Sequence, residues 1–156
     1  MAKGGDPRAD YIAIASRNMA AHGFHGISLA GLARDAGVTK QALLHFFGTK
    51  ERLYAEVLCD LAKRLCADIE TATRPDPADH LLAYFQGLCA STRSDPHDIR
   101  LVVRALLDSE PRARTWPLKP YLDRLVDLAR RTKGGQQAET HEIIAWLSQV
   151  IGMIQY

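Results

Sequence analysis

The sequence predicts an all-α protein. Three observations lead there: apolar residues recur at spacings of three and four in almost every segment, no stretch alternates convincingly as a strand, and proline or glycine separates the apolar stripes. A hydrophobic content of 47% over 156 residues suits one or two compact units with a real core. No apolar run reaches the roughly 18 residues that span a bilayer, and "MAKGGDPRAD" lacks the apolar segment of a signal peptide. A cytoplasmic location without membrane contact is therefore expected. Cys59, Cys66 and Cys89 are odd in number and form no CxxC pair, so they are expected to stay reduced, as small buried thiols.

Taken in order, Ile12, Ala15 and Met19 make the first stripe, on a helix over about 8–22 that Gly23 stops. "HGIS" ends in Ser28, an N-cap for a short helix whose Leu29, Leu32, Ala33 and Ala36 face inward. Gly37 follows, Val38 plugs the gap between two helices, and Thr39 caps a third helix over Lys40–Phe47. Gly48 breaks that helix, and Thr49 caps a long one, 49–72, with Leu53, Val57, Leu61, Leu65 and Ile69 on one face. Beyond it "RPDP", "SDPHD", "EPRARTWPLKP" and "KGG" punctuate a helical bundle. Its stripes are Leu81, Leu82, Phe85 and Leu88; Ile99, Val102, Val103 and Leu106; Tyr121, Leu122, Leu125 and Val126; and Ile143, Ile144, Leu147, Val150, Ile151 and Ile154. The expected division is a three-helix unit, 1–48, joined through the 49–72 helix to a helical domain, 49–156.

Net charge is +2, but it is unevenly spread. Up to Lys50, the cations Lys3, Arg8, Arg17, Arg34, Lys40 and Lys50 face only Asp6, Asp10 and Asp35, an excess of +3, while the remainder carries −1. That excess points to a polyanion, with a solvated basic face as the plain alternative. It coincides with "GVTKQALLHFFGTK", whose Leu43, Leu44, Phe46 and Phe47 are too apolar for a helix surrounded by water.

Two short helices joined through "AGVT" form a helix-turn-helix, in which the second helix enters the DNA major groove. Gly37 is the residue that takes the positive φ of the sharp turn. If Leu43 and Phe47 point inward, Lys40, Gln41, Leu44 and His45 are left facing DNA. Lys40 can meet a phosphate or guanine, Gln41 can read a base edge as a bidentate amide, and Ala42 or Leu44 can pack on a thymine methyl. Lys50 adds charge at the start of the next helix.

"ISLAGLARDAGVTKQALLHFFGTKERLY", residues 27–54, resembles the DNA-binding signature of the TetR family of bacterial transcriptional repressors. The likeness rests on the Ser28 cap, the Leu-Ala pairs, the Gly-Val turn and the Phe-x-x-Lys ending. It implies a DNA-binding module followed by a variable helical domain for ligand binding and dimerisation. With the residue reading, it gives Ser28, Thr39, Lys40, Gln41, Ala42, Leu44, His45 and Lys50 as the candidate DNA-contacting set. Leu44 stands where the family usually has Tyr, Phe46 where it often has His, and Ala30 where some members have a donor. Members usually run on past the position of Tyr156 and pair through their last two helices, so the resemblance implies a C-terminal part truncated within the first of that pair.

The implied mechanism is a homodimer on a palindromic operator in double-stranded DNA, released when an unidentified small-molecule effector tilts the 49–72 helix. Phe85, Cys89, Val103, Trp116, Tyr121 and Trp146 are the candidate ligand contacts, as aromatic or polarisable positions on the surrounding helices. No cofactor is expected. Catalysis is not expected either, since GxSxG, HExxH and a Gly-rich phosphate loop are all lacking. His22 and His25 have metal-ligand spacing, but Gly23 falls between them and favours a surface or capping role. The competing reading is a helical protein-interaction module that has lost sequence-specific DNA binding.

Overall fold

The computed structural model describes residues 6–107 and 117–154. They form eight α-helices: α1 Pro7–His22, α2 Leu29–Asp35, α3 Lys40–Phe47, α4 Lys50–Thr71, α5 Pro77–Ser94, α6 His97–Leu107, α7 Lys119–Arg130 and α8 Thr140–Ile154, with a 3-10 turn at Gly135–Gln137. Among the described residues there is no strand, and no helix is long and apolar enough to cross a membrane.

Side-chain caps set the helix starts. Asp6 accepts from the Arg8 N–H at 3.0 Å with Pro7 opening α1, and Ser28, Thr39 and Thr49 accept from Gly31, Ala42 and Arg52 at 3.0, 3.1 and 3.1 Å. Asp76 takes both Ala78 and Asp79 N–H groups at the start of α5. Each such cap satisfies amides that the first turn leaves without intrahelical partners.

One continuous apolar core runs from Ala15 to Ile151. α1 packs chiefly on α6 and α4, α4 on α7, and α7 on α5 and α8, with α2 and α3 attached at the α1–α4 end. The five expected α4 residues, Leu53, Val57, Leu61, Leu65 and Ile69, are all buried. Leu82 departs from expectation at 56% exposed. Leu81, Tyr84, Phe85 and Leu88 already fill the inner face of α5, and a residue next to Leu81 points about 100° away from it. Ile144 is turned outward for the same reason, beside Ile143 on a helix that buries Ile143, Leu147 and Ile151. Cys59 is likewise exposed, while Cys66 and Cys89 are half-buried.

Candidate nucleic-acid interface

The turn between α2 and α3 is built on three backbone features. Gly37 has φ of 66°, its N–H donates to Arg34 O at 3.1 Å, and the Val38 N–H donates to Ala33 O at 2.9 Å. A Cβ on Gly37 would meet nothing within 4 Å. The demand for glycine here is therefore conformational and not steric, since a positive φ brings Cβ against its own carbonyl.

α3 divides its apolar surplus between two directions. Leu43 and Phe47 are 2% and 3% exposed, one turn apart and facing the core that includes Leu32 and Ala33. Arg8 from α1 lies 5.5 Å over the Phe47 ring. Phe46 stays half-exposed, edge-on to Tyr11 of α1 with ring centroids 5.3 Å apart. On the outer side Lys40, Gln41, Leu44 and His45 are exposed and Ala42 is half-buried. Among the described residues the side chains of Lys40 and Gln41 have no hydrogen-bond or ion-pair partner.

Ser28 and Thr39 accept backbone hydrogens as caps, which leaves each O–H hydrogen available to an outside acceptor. Lys50 is placed differently from its sequence reading. Its ammonium donates to the Ile27 carbonyl at 2.8 Å and sits 4.3 Å from the Phe24 ring centroid, clipping the α1–α2 loop to the start of α4. An ammonium has three donors, so these two contacts leave one for a phosphate.

Residues 12–57 match the model of the bacterial regulatory proteins of the tetR family. Solved structures resemble the chain over nearly its whole length. A TetR-like transcriptional regulator from Rhodococcus sp. RHA1 is 16% identical with a TM-score of 0.77, over 99% of this chain and 85% of that one. The TetR family regulator PfmR from Thermus thermophilus is 23% identical with a TM-score of 0.71, over 96% and 85%. HlyIIR, a hemolysin II transcriptional regulator, is 20% identical with a TM-score of 0.70, over 93% and 84%. No curated protein matches the chain significantly. The chain has the TetR fold and carries that family's N-terminal domain.

In the helical part of this TetR fold the predicted ligand contacts among the described residues have different surroundings. Phe85 is buried and edge-on to Trp146 at 6.2 Å. Trp146, 45% exposed, lines a cleft of about 460 Å³ with Leu81, Thr132 and Glu142. Tyr121 is fully buried, its hydroxyl accepting from that of Tyr84 at 2.9 Å, and burial pushes both phenols well above the usual range. Cys89 and Val103 are half-buried. Trp116 lies outside the described residues.

Three long-range ties escaped the sequence reading. Arg8 of α1 forks onto Glu56 of α4, with Nε at 2.9 Å from Oε2. Arg64 of α4 grips Asp98 of α6, with Nη2 at 2.9 Å from Oδ1, and this bond holds the guanidinium pKa above its usual value. Arg104 of α6 donates to the Ala20 and Ala21 carbonyls that end α1. Their partners stand 48, 34 and 84 residues apart, so no local pattern could have revealed them.

Proposed function

We propose that this TetR-fold chain is a DNA-binding transcription regulator of the repressor type. A homodimer places one α3 in each of two major grooves of a palindromic operator, and a small-molecule effector releases it. The observation that carries the reading is the outer face of α3: Lys40 and Gln41 are exposed and their side chains spend none of their donors within the described protein. Residues 1–48 act as the reading head and 49–156 as the effector and pairing part, with α4 between them. The protein works in the cytoplasm and performs no chemistry.

A two-turn helix reads few base pairs, so two heads spaced by about one helical repeat, roughly 34 Å, are needed for useful discrimination. Trp146 and Met153, both exposed and seven residues apart on one side of α8, supply apolar surface that supports pairing. Release requires only that the effector prefer the DNA-incompetent arrangement by about 1–3 kcal/mol.

The test is a specificity ratio. Duplexes selected from a random pool should yield a palindrome that is held about 10³-fold or more over random duplex at fixed salt. Equal affinity for the selected and random duplexes, each falling alike with salt, would leave only phosphate attraction and return the chain to the interaction-module reading.

A further inference from the structure

Two large apolar side chains of α3 are exposed, Leu44 at 37% and Phe46 at 39%. Phe46 has company: its ring stands edge-on to Tyr11 of α1 and to His45, with centroids 5.3 and 5.9 Å apart. Leu44 lies outside the core that takes Leu43 and Phe47, since consecutive residues of a helix diverge by about 100°. Core packing therefore does not account for a leucine at this position. A single exposed leucine is ordinary on a protein surface, but the neighbours of this one are not. Lys40 and Gln41, one turn back, lie on the same side of α3, and their side chains have no partner among the described residues.

A helical side chain leans toward the N-terminus of its own helix, so Leu44 covers the turn that carries Lys40 and Gln41. In a helix-turn-helix that turn is the one directed at base edges. The sequence leaves Ala42 and Leu44 as alternatives for an apolar base contact, and the structure separates them. Ala42 is half-buried, with its N–H donating to Thr39 Oγ at 3.1 Å, whereas Leu44 is exposed. Along the floor of the major groove the base edges are donors and acceptors, and the apolar exception is the 5-methyl group of thymine. Leucine replaces no hydrogen bond, so over any other edge it displaces water and returns nothing.

On the DNA reading of α3, from which this inference follows, we propose that Leu44 makes the reading head a sensor of pyrimidine 5-methyl groups. One pyrimidine in each half-site faces Leu44, beside the base that Gln41 reads, and its methyl group is what Leu44 recognises. Thymine satisfies that position and uracil does not. By the same contact 5-methylcytosine is preferred there over cytosine.

The experiment takes the palindrome that the full chain selects from a random pool and replaces thymine by deoxyuridine, one symmetric position at a time, with gel shifts at fixed salt. At one position the exchange should weaken binding about tenfold, three- to fivefold for each methyl lost. Leu44→Ala should bind the thymine duplex about tenfold less tightly and treat thymine and uracil alike at that position, while Leu44→Met, similar in volume, keeps the distinction. With cytosine at the same position, methylation at C5 should strengthen binding of the parent by that factor and leave Leu44→Ala unchanged. Both variants should melt with the parent, because the side chain lies outside the core. A parent that prefers no duplex over random DNA would end the regulator reading and this inference with it. A selected duplex indifferent to uracil at every position, or a uracil penalty that persists in Leu44→Ala, overturns the methyl contact alone.

Discussion

Replacing Arg104 with alanine probes how the end of α1 is fastened to α6. The last turn of α1 leaves carbonyls without intrahelical partners. The Gly23 N–H takes that of Met19, and Arg104, arriving from α6, takes Ala20 O with Nε at 3.1 Å and Ala21 O with Nη2 at 3.2 Å. A hydrogen bond from a charged donor contributes about 1.5–3 kcal/mol when sheltered. Arg104 is exposed, so water recovers much of this, and the two bonds together should amount to about 1–2 kcal/mol, including the favourable placement of a cation at a helix C-terminus. For a chain of this size each kcal/mol moves Tm by about 2–4 °C. Arg104→Ala should therefore lower Tm by roughly 2–8 °C in a far-UV circular dichroism melt.

Gly23 supplies the control. Its φ is 73°, and a Cβ there would stand 2.9 Å from Arg104 Nη1. Gly23→Ala thus combines backbone strain of about 1–2 kcal/mol with displacement of the guanidinium. Only the strain should persist once Arg104 is already alanine, so the double variant should be less destabilised than the sum of the singles. A Tm change below about 1 °C for Arg104→Ala, or strict additivity in the cycle, would refute this account of the α1–α6 junction.

Lys40→Ala should reduce the slope of log affinity against log salt by about one, and Gln41→Ala should lower the ratio of palindrome to random-duplex binding while leaving that slope unchanged; gel shifts at several salt concentrations read both. Lys50→Ala should first lose stability, by about 1–2 kcal/mol from the Ile27 bond and the Phe24 ring contact, seen as a fall in Tm without DNA. Gly37→Val places a β-branched side chain at positive φ and should cost about 1–3 kcal/mol with loss of gel shift, although no neighbour is struck. Burial pushes the Cys66 thiol up, so less thiolate is present at any pH below its raised pKa. Mass spectrometry during alkylation at pH 8 should find exposed Cys59 modified before Cys66, the Cys66 rate still climbing with further increase in pH.

The helices were legible because their signals are local. Ser28, Thr39 and Thr49 each lie three residues from the amide they cap, Gly23, Gly37 and Gly48 carry the positive φ values, and Leu43 with Phe47 shows the inner face of α3 by spacing alone. Periodicity was less informative where apolar residues ran in pairs. Leu81-Leu82 and Ile143-Ile144 each divide between core and surface, and only the neighbouring helices decide which member turns inward. The outer face of α3 could be inferred by subtraction, but the second engagement of Lys50 could not, because Ile27 lies 23 residues away in a loop. Residue type alone singles out the candidate ligand contacts and carries no information on how α5 to α8 pack; that packing places Tyr121 in the core and Trp146 at a surface cleft.

The three missed arginine ties change what α4 can do as a lever. Arg8–Glu56 joins α1 to α4, Arg64–Asp98 joins α4 to α6, and Arg104 joins α6 back to α1, so the three helices close a triangle. The exposed Arg8–Glu56 corner is weak, since such pairs contribute at most about 1 kcal/mol. The other two corners have more shelter, and Met19, Leu61 and Val102, one from each helix, are fully enclosed. Close-packed contacts of this kind switch between arrangements and do not stretch smoothly. Under the proposed function, an effector that tilts α4 must either carry α6 with it or break Arg64 from Asp98. Moving the two together transmits the tilt through Arg104 to the end of α1, next to the loop that Lys50 holds. Control of the reading head then belongs to the α4–α6 pair, and a variant that cuts Arg64–Asp98 should loosen the link between effector and DNA before it loosens either binding site.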